Sequence, residues 1–551
     1  MKSIYPRPTL RRDEWHSLDG MWKLNGKEIR VPYPPQSRLS GWEGEIPEKL
    51  IYERGFTPEL PVNGERVLLH FGAVDQTCRV YVNGFDAGSH EGGYLPFTFD
   101  ITDYLYEGRN VIRVEAEDAL SHDYPYGKQK KHPGGMWYTP VSGIWQTVWY
   151  ETVPEEHVSS ISFKTDIRTG EVSWDIDGTG VGIFDMTVQL RGKVIVSRPV
   201  HAFDKLTIPQ EDLKLWTPDD PALYDVTFES YSGDTVRTYF AFREFSINEV
   251  NGTNRLCLNG EPVFLNGVLD QGYYPDGIFV PGNLRDYDKD ISLMKQMGFN
   301  TLRKHIKVEP EYFYSACDRL GMIVIQDMVN SGEYRFFRDT VLPTVGVKKI
   351  NDSVRDYGKR EKFFIDHMVR TAAHLDKHPC IAVYTIFNEG WGQFESDRMY
   401  DILKERDPGR LIDSTSGWFA QQKSDFDSAH VYFKEKKLEP GKRPMLLSEC
   451  GGFILDMDPD RKKGPVWGYG RCRDPLELTG RMERMYIKMV LHAVSKGLCG
   501  CIYTQLSDVE NELNGLVTYD RKKIKADIPR LQKMSMRIND MLRSAVQKGK
   551  E

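Results

Sequence analysis

From residue 250 onward, short apolar runs alternate with amphipathic ones, and this alternation limits the folds open to the chain more than any other feature. PVFLNGV reads as a buried strand and DYDKDISLMKQMG as a helix closed by Gly298. FNTLRKH is then the second strand, EPEYFYSACDRLG a second glycine-terminated helix, and MIVIQD the third strand. CIAVYTIFNE, RLIDSTSG, SAHVYF, PMLLSE and GLCGCIYTQ continue the series, with helical stretches between most of them. Strands that alternate with helices pair in parallel. Eight of them in about 300 residues favour a closed (β/α)8 barrel. An open doubly wound sheet would more often carry a glycine-rich phosphate loop after its first strand.

The sequence before residue 250 has a different pattern. RVLLHFGAV, CRVYVNG and NVIRVEAED are β-branched and aromatic runs divided by Asn-Gly, Glu-Gly and Asp-containing turns, the pattern of a β-sandwich. HVSSISFKTDI, EVSWDID, FDMTVQL, LYDVTFES and TVRTYFAFREF form a second β segment whose length suits an immunoglobulin-like sandwich, without the cysteine pair of antibody domains. A chain of 551 residues exceeds what one core supports. The expected layout is therefore a β-sandwich over 1–153, an immunoglobulin-like sandwich over 154–246 and a barrel over 247–551.

Several function classes are disfavoured. The net charge of -7 is dispersed along the chain, which argues against nucleic acid as a partner. The N-terminus MKSIYPRPTLRRDEW lacks a signal-peptide core and no apolar run is long enough to span a membrane, so a cytoplasmic location is expected. The eight cysteines make no disulfide framework, and Cys499 and Cys501 read as buried thiols of one strand. No C-x-x-C, H-E-x-x-H, P-loop or dinucleotide fingerprint is present, and no cofactor is expected.

Chemistry on such a barrel lies at the C-terminal ends of its strands. In AVYTIFNEGWGQF, the fourth strand stops on Asn388 and Glu389, followed by Gly390, Trp391 and Gly392; in PMLLSECGGF, the seventh stops on Glu449. Either glutamate alone could face solvent. Together, at corresponding ends of two barrel strands, they can meet across a cleft, with the glycines letting a ligand approach the backbone. Cleaving a glycosidic bond needs such a pair, one carboxylic acid for the leaving oxygen and one carboxylate for the anomeric carbon. Alternation puts Arg303 and His305 on one face of the second strand and Lys304 on the other. An inward Arg303 near Glu449 would hold it ionised, although it could equally tie strand ends together. Trp391 is a candidate for stacking on a sugar or for the core. His430 and Tyr432 share a face directed at the rim, and Asp270, ending the first barrel strand, is a further candidate sugar contact.

The motifs in this order resemble those of glycoside hydrolase family 2, which includes β-galactosidases, β-glucuronidases and β-mannosidases. LDGMWKL at 18–24 and GGMWYTPVSGIWQTVWYE at 134–151 are similar to the family's N-terminal sugar-binding jelly roll. FREFSI and LCLNGEPVFLNGV resemble the junction of its immunoglobulin-like domain with its barrel. FNTLRKH, FNEGW and LLSECGG resemble its second-strand, acid/base and nucleophile motifs, and YTQLSDVENELNGL at 503–516 the segment after its last strand. The resemblance implies Glu389 as acid/base, Glu449 as nucleophile, Asn388 as a contact of the sugar 2-hydroxyl, and Arg303, His305 and Tyr432 as site-lining residues. It implies a retaining exo-acting β-glycosidase, with β-galactosides as first expectation and β-glucuronides second. The carboxyl groups would lie about 5–5.5 Å apart, with the pKa of Glu389 raised and that of Glu449 low. A carbohydrate-binding protein without catalysis is the contrasting class.

The sequence departs from the family at HIKVEP and IQDM, and it has no Asn-x-Lys near the end of the barrel to grip a uronate; this favours a neutral sugar. The loop YGKQKKHPGG carries Lys128, Lys130 and Lys131, and reads as a solvated loop that could alternatively reach the site. No acidic metal cluster is evident and none is expected. The implied partner is a small glycoside or oligosaccharide, and a homo-oligomer is compatible with the family. Substitution of Arg303 by alanine is expected to act on turnover while leaving the fold intact.

Overall fold

A computed structural model describes residues 4–547 apart from 63, 181, 348–357, 433–434 and 458–464. The N-terminal part is a sandwich of two antiparallel sheets. One has four strands, in the order His16–Ser17, Val148–Val153, Arg66–Phe71, Phe97–Asp100. The other has six, running from Lys27–Val31 through Lys49–Phe56 and Asn110–Glu117 to Phe85–Glu91. Alternation creates the core between them: in Asn110–Glu117, Asn110, Ile112, Val114 and Ala116 are buried while the residues between are more exposed. A second sandwich pairs a three-stranded sheet that includes His157–Thr165 with a four-stranded one that includes Ile183–Leu190 and Tyr224–Ser230. It has its own core around Trp174, Phe184, Tyr224 and Phe228. Strand Phe245–Val250 pairs with Thr253–Leu258 in a small separate sheet, so residue 246 falls inside a strand.

Arg12 joins the two sandwiches. Its guanidinium grips Asp234 through Nε and Nη2, both at 2.8 Å, and donates to Glu151 at 3.0 Å and to the Val158 carbonyl at 2.6 Å. All three charged side chains are buried. The planar fork of arginine lets one cation serve two carboxylates, Glu151 on strand Val148–Val153 of the first sandwich and Asp234 in the turn before Thr235–Phe240 of the second.

The eight apolar runs read from the sequence are the eight parallel strands of the barrel. These are Leu265–Asp270, Thr301–Lys304, Ile323–Asp327, Ile381–Asn388, Leu411–Ser416, Asp427–Val431, Met445–Cys450 and Leu498–Tyr503. The hydrogen-bonded ladder runs from the fifth strand back to the first, which pairs with the eighth, and on through the seventh to the sixth. The fifth and sixth strands adjoin through side chains, with Ser416 Oγ 3.0 Å from His430 Nε2. Helices Asp286–Gln296, Glu311–Leu320, Lys359–Leu375, Ser396–Arg406, Pro475–Met485 and Ile528–Gln547 flank the strands. The ladder register shifts at Ala429–His430 and between Leu447 and Cys450, at the rim where such irregularities re-aim side chains. Among the described residues, no helix is long and apolar enough to cross a membrane.

Arg12→Met would leave Asp234 buried without its cation and Glu151 with Arg7 at 3.7 Å in place of the closer Arg12. It is expected to cost about 3–5 kcal/mol, read as a lowered urea midpoint, with the loss concentrated in the two sandwiches by hydrogen exchange.

Candidate active site

The second barrel strand carries Arg303 into the barrel, where its side chain is fully buried and all five of its N–H groups are used. Nε and Nη2 donate to the two oxygens of Asp327, each at 3.0 Å. Nη2 also donates to Asn388 Oδ1 at 2.9 Å, and Nη1 to the Ser448 carbonyl at 3.0 Å and Glu449 Oε1 at 3.2 Å. One cation thereby ties together the ends of the second, third, fourth and seventh strands. Burial alone would weaken its hold on the proton, but Asp327 and Glu449 outweigh that effect and raise its pKa. His305, also buried, meets the same Asp327 through Nδ1 at 2.7 Å; burial lowers its pKa against the pull of the carboxylate.

Glu389 and Glu449 converge on one hydroxyl. Tyr432 Oη lies 2.7 Å from Glu389 Oε1 and 2.8 Å from Glu449 Oε2. The two carboxyl oxygens are therefore no more than 5.5 Å apart, the sum of those contacts. Neither side chain points into bulk water, at 17% and 7% exposure. His430 Nδ1 lies 2.8 Å from the same Glu389 oxygen, and burial pushes its pKa down to about 3, leaving a neutral ring. Burial also raises the pKa of Glu389, opposed by the Tyr432 hydrogen bond and by the charges of Lys128, His305 and Arg303.

The proton inventory separates the two carboxyls. Tyr432 has one proton and cannot donate to both. Ser416 donates to Ser448 at 2.8 Å and so accepts from His430 Nε2–H, which leaves Nδ1 as an acceptor facing Glu389. A proton on Glu389 completes the set, with Tyr432 donating to Glu449.

Local backbone holds Glu389 in place. It sits at φ +53°, in the left-handed region, with its N–H bonded to the Ser416 carbonyl at 3.0 Å. The flanking glycines serve packing: a β-carbon on Gly390 would meet the Phe419 ring at 2.1 Å, and one on Gly392 the Ser331 carbonyl at 2.0 Å. This corrects their reading as openings for a ligand.

The remaining candidates are distributed differently. Trp391 is buried, donates to the Gly332 carbonyl at 2.9 Å and packs edge-on against Trp137, 4.9 Å away, and Tyr126, 5.5 Å away. It thus faces the loop of the N-terminal sandwich. Asp270 does not join the cluster: its carboxylate takes Lys304 Nζ at 2.5 Å and the Gly272 N–H at 2.9 Å, in an ion-pair layer that includes Glu309. Lys128 is buried at 8% exposure, whereas Lys130 and Lys131 are exposed. The solvated-loop reading therefore fails for Lys128 alone. Sequence reasoning missed Asp327, Ser416 and Ser448, although Asp327 ends the strand IVIQD and was open to the strand-end argument used for the glutamates. A cavity of about 1380 Å³ lies elsewhere, between the sandwiches and the barrel, lined by Arg7, Trp149, Arg243 and Lys377 among others, and contains neither glutamate.

Comparison with known proteins agrees with this architecture. The family profiles described as "Glycosyl hydrolases family 2, sugar binding domain" and "Glycosyl hydrolases family 2, TIM barrel domain" match residues 27–154 and 249–440. The chain belongs to glycoside hydrolase family 2. The barrel match includes Arg303, Glu389 and Tyr432 and stops short of Glu449. This family 2 chain is 24% identical over 533 residues to a β-galactosidase of Priestia megaterium, covering 84% of the chain and 48% of that protein. It is 27% identical over 337 residues to a putative β-glucuronidase of Formosa agariphila, covering 57% and 38%. The chain thus spans less than half the length of these curated relatives. In fold it is similar to the β-D-glucuronidase of Dictyoglomus thermophilum, with TM-score 0.76, 18% identity and coverage of 98% and 99%.

The five-donor arrangement corrects the expectation for Arg303→Ala. Removing the guanidinium leaves buried Asp327 with His305 as its remaining side-chain partner, so the variant is expected to lose about 3–5 kcal/mol of stability in addition to turnover. Urea denaturation of the purified variant checks this; an unchanged midpoint would contradict the buried-network reading.

Proposed function

We propose that this family 2 chain is a retaining, exo-acting β-glycosidase that removes terminal β-linked sugars, with β-galactosides the preferred class. The observation that carries the reading is the convergence of Glu389 and Glu449 on the Tyr432 hydroxyl, within 5.5 Å of each other. A separation of about 5–5.5 Å suits direct attack by one carboxylate, whereas the inverting mechanism needs room for an intervening water. Glu449, bonded by Arg303 and Tyr432, attacks the anomeric carbon and forms a glycosyl-enzyme ester. Glu389 delivers its proton to the departing glycosidic oxygen. Esterification removes the negative charge of Glu449, after which Glu389 acts as base, taking a proton from the water that attacks the ester-linked carbon. Asn388, whose oxygen is occupied by Arg303, keeps its amide protons for the sugar 2-hydroxyl.

The names of the similar β-galactosidases, together with the missing uronate-gripping Asn-x-Lys, support a neutral sugar. β-Glucuronides are the second reading, on the putative β-glucuronidases among the relatives. A binding protein without catalysis would have no use for a protonated carboxyl raised opposite a carboxylate that receives two donors.

A panel of nitrophenyl β-glycosides tests the proposal. Turnover of the galactoside is expected and should disappear in Glu449→Ala; in Glu389→Ala, added azide should restore it and yield the β-configured glycosyl azide. An α-azide, or no azide adduct, would exclude retention through this pair. The acid form of Glu389 is the active one and its pKa is raised. Activity is therefore expected to hold through mildly acidic pH, then fall as pH rises through that pKa. With an activated aryl leaving group, the alkaline limb of kcat/KM should vanish in Glu389→Gln.

A further inference from the structure

The end of the fifth barrel strand contributes no acid or base to the chemistry above, yet it closes around Glu389. The ladder pairs Asn388 with Ser416. Just beyond it, the Glu389 N–H donates to the Ser416 carbonyl and Trp418 Nε1 donates to the Glu389 carbonyl, both at 3.0 Å. Both backbone polar groups of the acid are therefore bonded to the segment Ser416–Gly417–Trp418. A left-handed residue such as Glu389 persists only where its surroundings over-determine it. Gly417, at φ +96°, makes room for the His430 ring, which a β-carbon there would meet at 2.8 Å. Trp418 packs edge-on against the same imidazole, with ring centroids 5.4 Å apart.

The Ser416 side chain bears on the proton of Glu389. Its own hydroxyl proton goes to Ser448 Oγ at 2.8 Å, and Ser448 donates in turn toward the Ala429 carbonyl at 3.5 Å. Ser416 Oγ is thereby free to accept from His430 Nε2 at 3.0 Å. Glu449 Oε1, 3.9 Å from the same nitrogen, also favours a proton there. Nδ1 keeps its lone pair, 2.8 Å from Glu389 Oε1. A lone pair in that place favours the protonated carboxyl, whereas an N–H would favour the carboxylate. Tyr432, Lys128, His305 and Arg303 also bear on Glu389, as do Tyr334, Asp339 and Tyr469. His430 is faced by Tyr432, Glu449, Arg303, His305 and Asp327, and Ser416 by Asp413. The substitutions below leave all of these in place.

We propose that Ser416 and Trp418 are positioning residues of the acid/base: Trp418 and the Ser416 backbone fix where the Glu389 carboxyl stands, and the Ser416 hydroxyl keeps its proton by selecting the tautomer of His430. Both act through other residues. The inference rests on the glycosidase reading for the use of that proton, while the tautomer can be read without turnover.

The two roles separate in kinetics. Trp418→Phe keeps a ring beside His430 and removes the indole N–H. On the methyl β-glycoside of the sugar selected by the nitrophenyl panel, its kcat/KM is expected to fall roughly 10- to 100-fold. The dinitrophenyl glycoside, whose leaving group needs no proton, should lose far less, and the alkaline limb should stay in place. Ser416→Ala removes the acceptor of Nε2–H and lets His430 present Nδ1–H to Glu389. That stabilises the carboxylate, lowers the Glu389 pKa and should move the alkaline limb on the methyl glycoside to lower pH by about 1 to 2 units, the effect of one hydrogen bond to a charged group. A merely structural serine would lower activity equally at every pH. Nitrogen NMR of isotopically labelled histidine, assigned with His430→Asn, is expected to show Nε2–H in the wild type and a shift toward Nδ1–H in Ser416→Ala. Those spectra from a chain that cleaves no glycoside would defeat the hydrolase reading and leave the tautomer assignment standing. A wild-type proton on Nδ1, an unmoved alkaline limb in Ser416→Ala, or an equal loss on both glycosides in Trp418→Phe would overturn the inference.

Discussion

The arrangement at the barrel rim depends on one buried cation. Arg303 has no contact with water, and the five acceptors around it come from Asp327, Asn388, Ser448 and Glu449. A guanidinium without water must find its whole complement of partners in the protein. The planar fork then sets where those partners stand relative to one another, and with them the ends of four strands. Glu449 is positioned as one member of that set. A lysine could supply the charge but has neither the number nor the geometry of donors.

Around this fixed point, the two glutamates occupy unlike surroundings. Glu449 receives Arg303 on one oxygen and Tyr432 on the other. Glu389 lies against the same hydroxyl without receiving its proton and faces an uncharged histidine, and burial favours its neutral form. The asymmetry follows from counting protons, since Tyr432 has one to give and two carboxyls to serve. Neutral His430, relayed through Ser416 to Ser448, accepts what remains. The barrel does not complete its own rim, however. Trp391 packs on Trp137 and Tyr126, so the wall beside Glu389 belongs to the N-terminal sandwich. Displacement of that loop would expose the aromatic cluster of Tyr126, Trp137 and Trp391.

Much of this was legible locally. The eight barrel strands could be read because each is a short apolar run bounded by glycine or a helix, and a strand buried on both faces has little freedom in composition. Alternation along FNTLRKH separates Arg303 and His305 from Lys304, and the hydrogen bonds follow that separation: Asp327 on one side, Asp270 and Glu309 on the other. The reading was less successful where a residue's role depends on a distant segment. Gly390 and Gly392 looked like openings and instead make room for Phe419 and Ser331. Lys128 shares its run with Lys130 and Lys131, which are exposed, so residue type alone does not mark it as buried. Arg303 read as a replaceable strand-end residue because periodicity gives the face of a side chain and not the number of its partners.

Local patterns were enough to give the architecture and to nominate the two glutamates, because periodicity and strand-end position are properties of neighbouring residues. That Tyr432 stands between those glutamates, that Arg303 uses every donor, and that a sandwich loop packs on the rim all came from the folded chain. Each of these depends on groups far apart in the chain meeting within hydrogen-bond distance. Such meetings are fixed by packing and by the requirement that buried polar groups be satisfied, which no local pattern encodes.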